Sequence, residues 1–287
     1  MSRERRNLVR IRLRLGFATV AAGGLLASCS SKHPAESPSD PIQYRHVVRT
    51  SPRPLQIHIL RIDLTHPGLE VVSIIADDPD GNGPAHSAMT DPLELASRPG
   101  VVAAINANAF KVQDGSEDVY ETTSAAGRPT RIVGWAETGG QRFSRPQKGY
   151  FSFWIDDAGV KIYNLGKPKP AKHALAGFGR LMQDGKITEQ RSGPLHPRSA
   201  VGYDAARSTL ILVVVDGRQD GYSEGMTRIE LANLMQELGC ATALNLDGGG
   251  SSILLLADDS GALQVKNLPS DGSRRPIPVM LGIRLKE

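Results

Sequence analysis

One segment in the carboxyl-terminal part of the chain constrains the fold more than any other, because its pattern predicts a strand, a helix and a second strand. The run LILVVV (Leu210–Val215) is apolar throughout and rich in valine, which is typical of a strand buried on both faces. TRIELANLMQELG then begins with the capping-box pair Thr227 and Glu230 and ends at Gly239. ATALNL follows as the second strand. Because strands joined by such a crossover normally run parallel, the segment predicts a βαβ unit.

Polar residues follow both strands of this unit. Asp216 comes after the first strand and Asp247 after the second, so both carboxylates are expected at the carboxyl edge of the sheet, where open α/β sheets bind ligands. Asp247 belongs to NLDGGGSS (Asn245–Ser252), whose glycines allow a sharp turn and let backbone N–H groups approach an anion. Spacing alone leaves two interpretations open: a ligand-binding loop, or a tight strand-to-strand turn capped by the aspartate.

Shorter patterns predict the elements around this unit. Alternating or continuous apolar runs predict strands over Leu55–Leu64, Leu69–Ala76, Val101–Asn106, Tyr150–Asp156 and Val160–Leu165, with a hairpin turn between the last two and a short helix over Asp91–Ser97. Residues 111–146 are weakly patterned and predict loops and ragged strands. The expected fold is a single α+β domain over residues 44–287, with mixed β-sheets, a βαβ unit near the carboxyl terminus and a few packed helices.

The first 28 residues are typical of an export signal. Arginines precede an apolar run of about a dozen residues, which is too short to span a bilayer. The run ends in Leu-Ala-Ser-Cys, which resembles the lipobox of bacterial lipoproteins; this implies cleavage before Cys29, lipidation of Cys29 and attachment to the membrane. The alternatives are an ordinary cleaved signal or an uncleaved anchor. Residues 29–43 are polar and proline-rich, which predicts a flexible tether.

The lipobox resemblance also implies a location. The protein is expected in the bacterial cell envelope, lipid-anchored and facing the periplasm or the exterior. Ser30 resembles the residues that permit transport to the outer membrane in Gram-negative bacteria.

Charge and cysteine content exclude several other classes of protein. The formal net charge is +4, but basic and acidic residues nearly balance once the first 28 residues are removed, so no nucleic-acid partner is expected. Cys240 is then the one cysteine after Cys29, and no disulfide can form within the mature chain. No His/Cys group has zinc spacing. No cofactor is predicted, although a divalent cation shared by Asp216, Asp247 and a substrate phosphate stays open, and the sequence does not indicate an oligomeric state.

Several stretches together resemble the phosphodiester glycosidase family. They are AAINANAF (Ala103–Phe110), HPRSAVGYD (His196–Asp204), VVVDGRQDGYSEGMTRIELA (Val213–Ala232), ALNLDGGGSS (Ala243–Ser252) and NLPSDGSRRP (Asn267–Pro276). The combination of DGR with NLDGGGSS is the specific part. In the first stretch, Ala107 and Asn108 stand where the family often has Gly-Gly or Gly-Asp. The resemblance implies hydrolysis of a sugar-1-phosphodiester such as an N-acetylglucosamine-1-phosphodiester, releasing the sugar and leaving a phosphomonoester; bacterial members are commonly exopolysaccharide-related.

The resemblance also implies roles for individual residues. Asp247 is expected to serve the anomeric centre or its water, with Asp216 as its partner or as a ligand of a sugar hydroxyl; which of them is acid, base or nucleophile stays open. Planar guanidinium groups match phosphate oxygens two at a time, so arginines are expected at the phosphate. The candidate substrate and phosphate ligands are Asn106, Arg198, Arg218, Gly248, Gly249, Ser251, Ser252 and Arg275.

Each candidate also has a structural interpretation. Asp216 could merely cap the loop that it begins, and Arg198 could be a buried arginine paired with a loop carboxylate. Arg274 and Arg275 are adjacent, so at most one is expected to face the site. His196 is more typical of a solvated loop histidine than of a sugar ligand.

Two alternatives to a phosphodiester hydrolase follow from the same residues. The first is a glycosidase that acts on an exopolysaccharide without phosphate. The second is a non-catalytic lipoprotein that binds glycan.

Overall fold

The computed structural model describes residues 40–81, 85–113, 126–164 and 167–286. The predicted signal peptide, Cys29 and most of the tether lie outside these residues. In the described part, twenty strands, numbered in chain order, form four sheets, and the α-helices are α1 (Pro92–Ala96) and α2 (Arg228–Glu237). Neither helix is long and apolar enough to cross a membrane.

Sheet 1 has seven strands and carries most of the residues discussed below. Its strands are, in spatial order, β1 (Ile42–Arg49), β2 (Leu55–Asp63), β16 (Thr209–Val215), β15 (Arg198–Tyr203), β17 (Thr242–Asn245), β13 (Gly179–Gln183) and β14 (Lys186–Ile187). Sheet 2 has five strands: β19 (Leu263–Val265), β18 (Leu254–Ala257), β5 (Val101–Asn106), β20 (Val279–Leu285) and β3 (Leu69–Ile75).

Two further sheets complete the described fold. Sheet 3 contains β11 (Gly159–Tyr163), β10 (Phe151–Asp156), β12 (His173–Gly177), β8 (Ala136–Thr138) and β9 (Gln141–Ser144). Sheet 4 contains β4 (Ser87–Ala88), β7 (Pro129–Ile132) and β6 (Phe110–Val112).

The predicted α+β class, with mixed sheets and several packed helices, is wrong. Every strand pair in the described sheets is antiparallel. The expected βαβ unit contains no parallel pair: β16 and β17 run in the same direction, but β15 lies between them and pairs antiparallel with both. The crossover rule failed because it assumes that the two strands are neighbours, and β15 had not been recognised as a strand.

Local patterns nevertheless predict several elements well. The α2 helix begins at the complete capping box of Thr227 and Glu230, and Gly239 follows it with a φ of +87°, the left-handed conformation that ends many helices. From Leu210 to Val215, β16 is fully buried. The predicted hairpin is the antiparallel pair β10 and β11.

The main core lies between sheets 1, 2 and 3. Apolar side chains from all three sheets meet there, for example Leu246 after β17, Ile105 of β5 and Phe153 of β10. The opposite face of sheet 1 is covered by α2 and that of sheet 2 by α1. The segment from Leu246 to Ile253 therefore leaves sheet 1 at the end of β17 and enters sheet 2 at β18, crossing the rim of this core.

Candidate active site

Three polar segments meet at one edge of sheet 1. The carboxyl ends of β16 and β17 and the start of β15 share this edge, since Arg198 pairs with Val215 and Ala200 pairs with Asn245. Asp216 and Asp247 therefore emerge at the same edge, although antiparallel pairing through β15, not a parallel pair, brings them there.

The backbone of Asp247 is fixed by the end of β5. Its N–H donates to the carbonyl of Ala107 at 2.9 Å, and its carbonyl accepts from Asn106 Nδ2 at 2.7 Å. Asp247 is half-buried, and burial raises the pKa of its carboxyl group to about 6, although the Ser251 hydroxyl, the Gly248 N–H and Arg275 favour the ionised form. A carboxyl group with this pKa exchanges its proton near neutral pH, as general acid–base chemistry requires.

Asn106 is a buried link between the two large sheets. Besides its bond to Asp247, its Oδ1 accepts from the Ser199 hydroxyl at 2.6 Å and from the Ile253 N–H at 3.2 Å. The structure thus shows the amide holding the Asp247 backbone, whereas the predicted contact with a sugar hydroxyl or a water stays a prediction.

Asp216 is buried and surrounded by protein donors. Its carboxylate accepts from Asn267 Nδ2 at 2.9 Å and from the Leu268 N–H at 3.1 Å, and His58 Nε2 lies 3.3 Å away. These contacts anchor the loop after β19 to the end of β16. They match the structural interpretation, in which Asp216 organises loops, better than direct work on a substrate.

The same contacts bear on the shared cation that the sequence left open. Both oxygens of Asp216 already accept hydrogen bonds from the protein. In the described ranges, no group of three or more His, Cys, Asp or Glu side chains is arranged to hold a metal ion.

Arg218 is the exposed arginine of this edge. Its terminal nitrogens lie over Gly249, where an added Cβ would be 3.3 Å from each, and its Nε donates to His196 Nδ1 at 3.3 Å. Its φ of +60° is left-handed, a conformation that costs free energy in a non-glycine residue and concentrates at functional sites. The side chain points its charge over the glycine loop.

Arg275 reaches the same loop from the other side. It pairs with Asp271, with Nε 2.8 Å from Oδ2, and this ion pair packs directly against Gly250. An added Cβ at Gly250 would lie 2.1 Å from Asp271 Oδ2, so the third glycine is required for the close approach. The neighbouring Arg274 turns away and pairs with Asp91 at the start of α1.

Arg198 is buried and donates hydrogen bonds to two loops. Its Nε donates to the Met226 carbonyl and its Nη2 to the Pro194 carbonyl, both at 2.8 Å. Burial, together with the nearby Arg228 and Arg218, lowers its pKa to about 10. It therefore adds positive potential to the site. Its burial fits the structural interpretation, but its hydrogen bonds go to two backbone carbonyls where a loop carboxylate was expected.

The glycine loop forms a short 3₁₀ turn over Gly249–Ser251. Three of its N–H groups are used within the protein: Gly249 donates to Pro197, Ser251 to Gly248 and Ser252 to Gly249. These three N–H groups are therefore not free to bind an anion, although the sequence predicts such binding for the loop. Among the described residues, the buried hydroxyls of Ser251 and Ser252 find no partner for a hydrogen bond of normal geometry, although the Ser251 hydroxyl is close enough to Asp247 to lower the pKa of its carboxyl group.

Sequence reasoning missed several residues of this site. Asp271 holds Arg275, and its position four residues before that arginine could have indicated the pair. His196, interpreted as a solvated loop residue, lies beside Arg218, and burial together with Arg218 and Arg198 lowers its pKa. Asn267 begins one of the stretches that carry the family resemblance. Neither Asn267 nor His58 could be assigned to Asp216 from the sequence, because these contacts join distant parts of the chain.

The arrangement defines a class of site. A carboxyl group that titrates near neutral pH lies beside guanidinium groups that face a glycine loop, as suits hydrolysis of a bond next to an anionic group. A sequence model of the family described as "Phosphodiester glycosidase" matches residues 99–284, more than half of the chain. The chain belongs to this family of hydrolases.

A curated relative also aligns with part of the chain. The SPbeta prophage-derived uncharacterized protein YomE of Bacillus subtilis (strain 168) is 29% identical over 182 residues, which cover 56% of this chain and 25% of the relative. The chain thus spans about a quarter of the length of the curated relative that it matches.

Solved structures share the fold. The zebrafish N-acetylglucosamine-1-phosphodiester alpha-N-acetylglucosaminidase catalytic domain, auto-inhibited by its pro-peptide, superposes with a TM-score of 0.61 at 20% identity, covering 85% of this chain and 82% of that chain. A hypothetical protein from Synechocystis gives a TM-score of 0.60 at 15% identity, covering 85% and 62%.

Proposed function

We propose that this chain hydrolyses the glycosidic bond of a sugar-1-phosphodiester, releasing the sugar and leaving a phosphomonoester. The observation that carries the proposal is the placement of Asp247: its backbone is held by Asn106 and Ala107, and its carboxyl group adjoins a glycine loop flanked by Arg218 and Arg275. Membership of the phosphodiester glycosidase family supports the same reaction class.

Hydrolysis of this glycosidic bond requires few catalytic side chains. A phosphomonoester is a good leaving group, so the bond needs little general-acid assistance, and the main requirements are cations at the phosphate and a carboxylate at the anomeric carbon. Asp247 is ionised above a pH of about 6 and serves the anomeric centre or its water. Arg218 stabilises the charge on the departing phosphate. Asp216 acts indirectly, because it holds the loop that carries Asp271 and Arg275.

We further propose that the enzyme works in the cell envelope, anchored through a lipid on Cys29. The support is the lipobox-like sequence that ends at Cys29 and the polar, proline-rich residues after it. Incorporation of a labelled fatty acid tests this, with Cys29→Ala as the variant that should lose the label and Cys240→Ala as its matched control. Labelling of the Cys29→Ala variant would contradict the anchor.

The reaction is tested with the purified protein and a panel of sugar-1-phosphodiesters that includes N-acetylglucosamine. Free reducing sugar is measured for the wild type and for Asp247→Asn, with and without chelator, alongside the matching phosphate-free glycosides. The proposal is supported if the wild type releases sugar from the phosphodiesters and the Asp247→Asn variant does not. Loss of this release with chelator would show that the reaction requires a divalent cation. Release from the phosphate-free glycosides alone supports an exopolysaccharide glycosidase, whereas binding without release supports a glycan-binding lipoprotein.

A further inference from the structure

An exposed aromatic residue lies next to the end of β17 and has no part in the roles described so far. Phe178 connects β12 of sheet 3 to β13 of sheet 1, and 38% of its surface is exposed. Its ring lies 5.7 Å from that of Tyr150, centroid to centroid, at an interplanar angle of 46°. Aromatic side chains commonly line ligand-binding pockets.

The position of Phe178 is fixed relative to the strand that carries Asp247. Its N–H donates to the Asn245 carbonyl at 2.9 Å, and the next residue, Gly179, pairs with Asn245 across the ladder. Phe178 therefore lies alongside the end of β17, next to the point where Asp247 begins the glycine loop. At Gly177 an added Cβ would lie 2.3 Å from the Asn245 carbonyl oxygen, so this approach depends on a glycine.

The order of strands places charge and aromatic surface on opposite flanks of Asp247. Along sheet 1 the order is β16, β15, β17, β13. Arg218 follows β16, Asp247 follows β17, and Phe178 precedes β13. In this order, Arg218 lies on one side of Asp247, and the aromatic pair of Phe178 and Tyr150 lies on the other side.

A sugar-1-phosphodiester likewise has a charged side and an apolar side. Its phosphate lies on one side of the anomeric carbon, and its pyranose ring, with an apolar face of C–H groups, lies on the other. We propose that Phe178, supported by Tyr150, is the stacking surface for the pyranose ring while Arg218 binds the phosphate; this inference rests on the proposed function. A rigid aromatic ring provides a large contact area and loses little conformational entropy on binding, which suits it to this role.

The test separates sugar binding from phosphate binding, using the full chain. Phe178→Ala removes the ring and Phe178→Tyr retains it. Tyr163→Ala removes another exposed aromatic residue, on β11 of sheet 3, and is the matched control. Binding of methyl glycosides of glucose and N-acetylglucosamine, and of inorganic phosphate, is measured by titration calorimetry, together with kcat and KM for any sugar-1-phosphodiester that turns over.

Phe178→Ala should weaken glycoside binding by about ten-fold or more and raise KM similarly, with phosphate affinity unchanged. Phe178→Tyr and Tyr163→Ala should resemble the wild type. Unchanged glycoside affinity in Phe178→Ala, an equal loss of glycoside and phosphate affinity, or absence of glycoside binding by the wild type would each overturn the stacking role. Glycoside binding that depends on Phe178 without turnover of any phosphodiester would keep the stacking surface and reject the proposed reaction.

Discussion

The side-chain amide of Asn106 donates a 2.7 Å hydrogen bond to the backbone carbonyl of Asp247 and so fixes the proposed catalytic residue from the neighbouring sheet. The same amide accepts from Ser199 on β15 and from Ile253 after the glycine loop. One buried side chain therefore couples β5, β15 and the segment that carries the carboxylate.

Asn106→Ala should damage both stability and activity. It leaves the Ser199 hydroxyl and two backbone groups without their partner, which should lower the free energy of unfolding by about 2–4 kcal/mol. Displacement of Asp247 should lower kcat by roughly 10²-fold. Asn106→Asp, which keeps the size but cannot donate to the carbonyl, should also be impaired. Urea unfolding and steady-state kinetics check both effects, and wild-type kcat in either variant would contradict the positioning role.

The raised pKa of Asp247 should be visible in the pH dependence of stability. Between an unfolded pKa of about 3.9 and the folded value, the folded protein binds more protons than the unfolded chain, so stability falls as the pH rises through this interval. Burial raises the folded value to about 6, so the cost at pH 7 is on the order of 2–3 kcal/mol.

Asp247→Asn removes this titration while keeping the shape of the side chain. Urea unfolding of both proteins at about pH 4 and at about pH 7 should show the variant gaining stability relative to the wild type as the pH rises. The comparison between the two proteins cancels the titration of every other group. An equal difference at both pH values would show that Asp247 has an ordinary pKa.

Arg218 and Arg207 form a matched pair for testing the phosphate site. Both adopt left-handed backbone conformations, with φ of +60° and +56°, but Arg207 lies over Tyr203, away from the glycine loop. Replacing either with glycine should relieve about 1 kcal/mol of backbone strain. Arg218→Gly alone should lower kcat/KM, by about 10²–10³-fold, because it removes charge stabilisation at the phosphate. Equal kinetics in the two variants would exclude Arg218 from the site.

Gly250→Ala tests the close approach of the Asp271–Arg275 pair to the glycine loop. The added methyl group would lie 2.1 Å from Asp271 Oδ2 and 2.2 Å from Arg275 Nη2, so both charged groups would have to shift away from the loop. We expect a loss of about 2–3 kcal/mol in the free energy of unfolding and a loss of activity, since over-packing carries a cost of this size. Gly68→Ala, whose methyl group meets only the His66 ring, is the control and should stay close to the wild type.

Asp216→Ala tests whether this carboxylate organises loops. Its removal leaves the side chain of Asn267, the Leu268 N–H and His58 without their shared acceptor. Loss of one partner from a buried charged network typically costs about 3–5 kcal/mol. The conservative Asp216→Asn should fold and retain kcat at saturating substrate, with a raised KM, because the loop that carries Arg275 is loosened. A loss of kcat as large as that of Asp247→Asn, with KM unchanged, would give Asp216 a direct chemical role.

The sequence predicts the local elements of this fold better than their arrangement. The capping box and the valine-rich run define α2 and β16, because these signals depend on residues a few positions apart. By contrast, β15 begins with Arg198 and Ser199, whose side chains bond to the Met226 carbonyl and to Asn106 of β5, so its pattern is neither alternating nor continuously apolar. Missing this one strand turned an antiparallel sheet into a predicted parallel pair.

The same limit applies to the site. Motif residues could be placed near one another, since Asp216 and Asp247 end strands of the same direction. What each residue touches depends on partners remote in sequence: Asp216 meets His58 from 158 positions away, and Asn106 meets Asp247 from 141 positions away. These contacts support the interpretation of Asp216 as a residue that organises loops, and no local pattern encodes them.

The place of β20 in sheet 2 links the site to the carboxyl-terminal part of the described chain. This last described strand lies between β3 and β5, and Met280 pairs with Asn106 itself. The strand that carries the Asp247 anchor therefore lacks one of its neighbours until residues 279–285 have been synthesised and inserted. The geometry around Asn106, and through it the position of Asp247, therefore depends on a strand from the far end of the described chain.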